Sequence, residues 1–269
     1  MSDARRWPLP GISRVLIGMV HLPALPGSPR WAGSLEAVVD RAVAEARVLE
    51  AGGFQACLVE NYGDAPFSPG RVDPATVAAM GVVVHEVRRA VHFPVGVNVL
   101  KNDAQAALAV AAATEAAFIR VNVHVGAVVA DQGVIQGDAY ATLRYRRLLG
   151  TETRLFVDVG GKHAVPLAPV ELEQVARDVA YRGLADALVV SGIATGEPTL
   201  LADVERVRGA VPDRPVLVGS GVTPETVGAL LAVADGAIVG TWLKQDGRPT
   251  NPVDPARVAA IARAAARRA

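Results

Sequence analysis

A single cysteine, Cys57, stands in 269 residues, so no intrachain disulfide can staple the fold and a reducing compartment is expected. Aromatic residues are scarce, at 4% of a chain that is 51% hydrophobic; the apolar excess is Ala and Val, still enough for a large core. Neither sign of charge dominates, with 27 Lys+Arg against 27 Asp+Glu, which removes the basic footprint of a nucleic-acid or anionic-membrane binder. No apolar run approaches the ~20 residues that a membrane helix requires. Met1 to Pro10 carries Arg5 and Arg6 with no signal-type apolar core behind them. A cytoplasmic protein is expected, with no nucleic-acid partner and no integral membrane segment. Also absent are a low-complexity linker and a G-x-G-x-x-G after the first apolar run, which argues against a Rossmann-type sheet.

What the chain does contain is alternation. Strand-like runs fall at Val15–Val20, Ala56–Glu60, Val95–Val99, Phe118–Val123, Leu155–Val159, Ala187–Val190, Val216–Val218 and Ala237–Val239. Helix-like stretches follow each of them: Ser34–Ala51, Asp73–Ala90, Asp103–Thr114, Asp138–Leu149, Pro169–Arg182, Leu200–Ala210, Thr223–Val233 and Pro255–Arg267. Near-continuous apolar strands suit a parallel sheet covered on both faces. Eight strand–helix pairs in strict order predict a single α/β domain over residues 1–269, a closed (β/α)8 TIM barrel with residues 1–14 as an extension. Cys57 lies inside a strand and reads as a buried small residue.

Chemistry in such a barrel sits at the C-terminal ends of the strands. Those ends carry His21, Glu60-Asn61, Asn98 with Lys101, Arg120 with Asn122 and His124, Asp158 with Lys162-His163, and Thr195-Gly196. The loop after the fourth strand holds Asp131-Gln132-Gly133 and Gln136-Gly137. Arg120 shares a strand face with Asn122 and, if that face points inward, needs a carboxylate or a bound anion. Asp103 is a candidate N-cap. The seventh and eighth strands end in Gly219-Ser220-Gly221 and Gly240-Thr241, with Thr223 read as an N-cap and Pro224 at the first helical position. Paired glycine-ended strands let backbone N–H groups approach an anion, so Gly196, Ser220, Gly221, Gly240 and Thr241 are expected to bind phosphate.

Several segments in order resemble the BtpA/SgcQ family: Gly18-Met-Val-His-Leu-Pro-Ala-Leu-Pro-Gly27, Glu60-Asn-Tyr-Gly-Asp-Ala-Pro-Phe67, Gly96-Val-Asn-Val-Leu-Lys-Asn-Asp103, Asp131-Gln-Gly133, Lys162-His-Ala164, Thr195-Gly196, and Asp235 to Thr241 through Asn251-Pro-Val-Asp254. The resemblance runs from about Val15 to Val258 and implies a TIM barrel. It also implies a link, in oxygenic phototrophs, to photosystem I accumulation; other members lie among sugar-utilisation genes with nucleosidase labels. The chain departs from the family pattern at Gly161, where a branched residue is expected, and at Ala130 and Gln136, where Thr and Glu are expected.

The residues support acid–base work on a small phosphorylated sugar or nucleoside, by glycosidic cleavage or a lyase step. Glu60 and Asp158, on non-adjacent strands, could divide acid and base roles or stabilise an oxocarbenium ion, with His21 and Lys162 completing the catalytic set. Asn61, Asn98 and Asn122 suit sugar hydroxyls, and Lys101, Arg120, His124, Asp131, His163 and Thr195 are further substrate contacts. A Schiff base at Lys101 or Lys162 is a lesser option. His21, His124 and His163 on one rim raise a metal-dependent hydrolase as an alternative, but no His-x-His or His-x3-His spacing supports it, and neither metal nor cofactor is assigned. A non-catalytic assembly factor is the second alternative, and a homo-oligomer is compatible with the sequence.

Overall fold

The computed structural model describes residues 14–160, 163–192 and 195–266. Its strands are β1 (Val15–His21), β2 (Ala56–Glu60), β3 (Val95–Asn98), β4 (Phe118–Val121), β5 (Ala127–Ala130), β6 (Gly133–Gln136), β7 (Arg154–Val159), β8 (Ala164–Pro166), β9 (Ala187–Val190), β10 (Val216–Val218) and β11 (Gly236–Val239). The helices are α1 (Leu35–Ala51), α2 (Pro74–Ala90), α3 (Ala104–Thr114), α4 (Ala139–Leu148), α5 (Leu172–Arg177), α6 (Leu201–Ala210), α7 (Val227–Val233) and α8 (Pro255–Ala266). Eight parallel strands close into a barrel in the order β1-β11-β10-β9-β7-β4-β3-β2, so β10 and β11 are its seventh and eighth staves. The expected α/β barrel is the observed one.

Alternation along each strand makes two cores. Val15, Ile17, Met19, Ala56, Leu58, Phe118, Phe156, Val189, Leu217 and Ile238 point inward and fill the barrel. Val20, Val59, Val97, Ile119, Val157, Leu188, Val218 and Val239 point outward and pack with helix residues such as Val38, Val83, Leu108 and Ile261. Both faces are dry, which is why the strands read as unbroken apolar runs. Inside the barrel the Phe118 and Phe156 rings stack with centroids 4.5 Å apart. Gly96 makes room for them, because a Cβ there would collide with the Phe118 ring. Gly96→Ala should therefore cost about 1–3 kcal/mol in urea unfolding; a loss below about 0.5 kcal/mol, the size of an ordinary surface change, would contradict this packing.

The same inward parity carries upward from this apolar filling to the rim. Above it stand His21, Glu60, Asn98, Arg120 and Asp158, each the next inward position on its strand and each at most 6% exposed. The barrel thus holds an apolar plug with a polar layer on its C-terminal end.

Three features differ from expectation. β5, β6 and β8 form a separate antiparallel sheet in the order β6-β5-β8 where loops were expected. Each strand is three or four residues long, and β8 joins from a different barrel loop, so no local period announces it. α5 is short and runs into a π-helical turn at Asp178–Arg182. α7 begins at Val227, not at Thr223, whose backbone N–H instead donates to Thr226 Oγ1 at 2.9 Å. Ser34 and Asp103 do cap α1 and α3, accepting from Ala37 N at 3.1 Å and Ala106 N at 2.9 Å. No helix among the described residues is long and apolar enough to cross a membrane.

Candidate functional site

A cavity of about 650 Å³ opens at the C-terminal end of the barrel. His21, Glu60, Lys101, Arg120, Asn122, Asp131, His163, Thr195, Gly196, Ser220, Gly221, Gly240 and Thr241 all line it, so most of the residues singled out from the sequence meet in one place. Tyr62, Phe67 and Leu100 add an apolar wall beside β2 and β3.

Glu60 is the carboxylate best placed for chemistry. Asn98 Nδ2 donates to its Oε2 at 2.6 Å, and His21 Nε2 lies 3.7 Å from its Oε1. His21 Nδ1 is 3.0 Å from the Pro249 carbonyl oxygen, which can only accept, so this contact puts a proton on Nδ1 and turns Nε2 towards Glu60. The His21 ring stacks on Tyr62 at 4.6 Å, and Gly240 lies close beneath it. Burial and the neighbouring Glu60 charge push the Tyr62 phenol up.

Asp158, expected as the second catalytic carboxylate, lies in an ion pair. It points into the barrel at the rim, but Arg120 Nε and Nη2 donate to its two oxygens at 2.9 and 3.0 Å. Asn122 Nδ2 adds a third donor at 2.9 Å, and the carboxylate side chain is 1% exposed. Burial alone would pull the Arg120 guanidinium down, but the Asp158 charge and hydrogen bonds outweigh it and hold it above its ordinary value. Asp158 is thus the counter-ion of Arg120, with both of its oxygens engaged.

Three residues expected as substrate contacts, Asn61, Asn98 and His124, make hydrogen bonds within the protein. Asn98 is occupied with Glu60. Asn61 Oδ1 accepts from Leu100 N at 2.7 Å while its Nδ2 donates to Asp64 Oδ2 at 2.9 Å. Asp64 Oδ1 in turn accepts from Leu25 N at 2.7 Å, so one small network joins the loops after β1, β2 and β3. His124 leaves the rim altogether: its Nε2 is 2.8 Å from Gly183 O in the helix layer, where burial lowers its pKa. A histidine with a depressed folded-state pKa takes up its proton in the unfolded chain first. Stability should therefore fall as pH drops below about 6.5 and on through the lower folded value. His124→Gln should flatten that acid limb in Tm measured against pH; an unchanged slope would contradict the assignment.

Lys162 lies outside the described residues. His163 Nε2 accepts from Thr195 N at 3.1 Å and sits 3.0 Å from Thr195 Oγ1, and both residues line the cavity. Asp131 enters from the β5–β6 hairpin, where Gln132 Nε2 donates to it at 2.6 Å. Among the described residues no group of three His, Cys, Asp or Glu is placed to hold a metal ion, and His21, His124 and His163 do not converge. Cys57 is fully buried, which pushes its thiol up and away from nucleophilic use.

Of the expected anion cradle, Gly240 and Thr241 face the cavity, but Ser220 Oγ is engaged in accepting from Gly192 N at 2.7 Å. Gly221 has φ +67°, and a side chain there would strike the Pro198 and Glu197 backbone. Its glycine is required by packing whatever the loop binds. Beyond Thr241, residues to Asp254 form a strap across β1, held by Lys244, whose fully buried Nζ is 2.6 Å from Glu45 Oε2, and by Arg41 Nη2 donating to Thr250 O at 2.7 Å. Sequence reasoning missed this buried pair, along with Tyr62, Trp242, Arg30 and Arg257 in the cavity wall. The available signal for Arg257 was its place in the first turn of a helix that starts beside the rim.

A family description named the BtpA family matches residues 12–267. Photosystem I biogenesis protein BtpA of Synechocystis sp. is 47% identical over 251 residues, covering 93% of this chain and 88% of that protein. The putative sgc region protein SgcQ of Escherichia coli is 35% identical over 251 residues, 92% of each chain. Among solved structures, thiamine phosphate pyrophosphorylase from Pyrococcus furiosus superposes with a TM-score of 0.59 at 11% identity, over 97% of this chain and 98% of that one. N-(5'-phosphoribosyl)anthranilate isomerase from Pyrococcus furiosus gives 0.57 at 14% identity, over 94% and 100%. At such identities the likeness is one of fold. The chain belongs to the BtpA family.

Proposed function

We propose that this protein is an enzyme acting on a small phosphorylated sugar or nucleoside, with Glu60 moving a proton and His21 as its partner. The observation that carries the reading is the Glu60 carboxylate, fixed by Asn98 at 2.6 Å and faced by His21 at 3.7 Å on the floor of the cavity. Two-carboxylate glycosidases keep their acids about 5–9.5 Å apart, on opposite sides of the scissile bond. Here the second carboxylate is tied to Arg120, and His21 stands on the same side as Glu60. That arrangement favours a lyase-type or isomerising proton transfer at one carbon over direct glycosidic hydrolysis. Glu60 takes the proton, and the Nε2 atom of His21 stabilises the carboxylic acid formed or relays the proton onward. With Arg120 neutralised by Asp158, Arg30, Lys101 and Arg257 face the cavity against Glu60 and Asp131, a balance that still favours an anionic substrate.

The test is turnover across a panel of sugar phosphates and nucleotides, with and without chelator, by wild type and Glu60→Gln. Turnover of a panel member by wild type, insensitive to chelator and lost in Glu60→Gln, supports the reading. Loss to chelator with recovery on adding a divalent ion would move it to a metal-dependent hydrolase. A second reading, a non-catalytic assembly factor, is favoured by the name of the Synechocystis relative. It is also favoured by an exposed apolar sheet face: Val129, Val134, Val165 and Leu167 are 39–62% exposed, and Val129 is in register with both Val134 and Val165. That reading expects no turnover in either protein and a retained protein partner in pull-downs.

A further inference from the structure

We propose that Arg257 is the anion anchor of the cavity, receiving the phosphate end of a phosphomonoester on the β10–β11 side of the mouth. The inference rests on the reading of the cavity as a site for phosphorylated small molecules, and it replaces a glycine cradle with a guanidinium.

The cations near the mouth differ in what already holds them. Arg120 is doubly bonded to Asp158, and Lys244 is sealed against Glu45 out of reach of the cavity. Arg30 and Arg257 line the cavity, and among the described residues neither forms a salt bridge within 4.0 Å of a carboxylate. Arg30 is an exposed residue of the loop after β1, whereas Arg257 is partly buried in the first turn of α8.

Arg257 is also held in place without being used up. Its Nη1 donates to Trp242 O at 3.0 Å, and the guanidinium lies over the Trp242 ring at 4.8 Å from the centroid. Its Nε and Nη2 make no hydrogen bond among the described residues, leaving part of the planar fork that matches two phosphate oxygens. Around it the wall is made of Gly240, Thr241, Gly247 and Thr250, which leave space and offer hydroxyl donors. The loop after β10 is a poorer seat. Gly221 is packed against Pro198, the Ser220 hydroxyl is engaged, and α7 has only 7 residues. From β11 the anchor lies across β1 from the Tyr62 and Phe67 wall, so a substrate spanning the two would pass over His21 and Glu60.

The experiment is calorimetric titration of ribose 5-phosphate into full-length wild type, Arg257→Gln, Arg257→Lys and Glu60→Gln, with inorganic phosphate as competitor and Tm as a check on folding. Arg257→Gln should bind ribose 5-phosphate at least tenfold more weakly and lose competition by phosphate, while Arg257→Lys recovers only part of the affinity. Glu60→Gln removes a negative charge from the cavity and should bind ribose 5-phosphate no more weakly than wild type. Equal affinity in folded wild type and Arg257→Gln would overturn the inference, as would full recovery by lysine, which supplies charge without the fork. If Arg257→Gln fails to fold, the lysine variant decides on the same criteria. Failure of wild type to bind ribose 5-phosphate or inorganic phosphate at all would sink both the anchor and the phosphate reading. Tight phosphate binding with no turnover of any panel member would sink the acid–base reading alone.

Discussion

Asp158→Asn should destabilise the protein by about 3–5 kcal/mol, the usual cost of stripping one partner from a buried ion pair. The Arg120 guanidinium is 4% exposed and is pinned by two hydrogen bonds to Asp158. Asparagine would leave that charge buried without compensation and would present an amide donor where two N–H groups converge. Urea unfolding followed by circular dichroism measures the loss. The double variant Arg120→Met with Asp158→Leu should recover much of it, because an apolar pair removes both desolvation costs. A loss below about 1 kcal/mol, typical of an exposed pair, would show that Asp158 is not committed to Arg120 and would reopen the paired-carboxylate mechanism.

Glu60→Gln should do the opposite, lowering kcat by about 10²–10⁴-fold, the usual share of a positioned acid–base group, with little change in stability. Glutamine retains a carbonyl oxygen to accept from Asn98, and His21 keeps its Nδ1 contact with the Pro249 carbonyl oxygen. KM should stay near its wild-type value, since Glu60 exchanges a proton and does not hold the anion. His21→Asn should lower kcat in the same direction and shift the pH–rate profile, which a purely structural histidine would not do. Steady-state kinetics on the panel member with the highest turnover checks both variants, and unchanged kcat in Glu60→Gln removes Glu60 from the mechanism.

Much of this arrangement was legible before any coordinates. The barrel followed from eight apolar runs and their intervening helices, and strand-end placement picked out His21, Glu60, Lys101, Arg120 and Thr195 as cavity residues. Parity along the fourth strand put Arg120 on one face with Asn122, where an inward orientation would need a carboxylate or an anion. The sequence could not choose between them, because the answer depends on β4 lying beside β7, which brings Asp158 within 2.9 Å. The same limit applies to Asn61, Asn98 and His124. Each is a polar residue at a strand end, and only the three-dimensional neighbours show that one ties loops, one fixes Glu60 and one turns into the helix layer. Arg257 was hidden for another reason. It belongs to a helix, and the strand-end rule does not look at the first turn of the helix packed beside the rim.

The most direct measurement is a crystal structure with ribose 5-phosphate bound. The account predicts the phosphate in contact with the Arg257 guanidinium and Thr241, and the sugar carbons over His21 and Glu60, with one of them about 3–3.5 Å from a Glu60 oxygen, the reach of a near-attack geometry. Density for the ligand only outside the barrel mouth, or inside it with Glu60 turned away from the sugar, would contradict it.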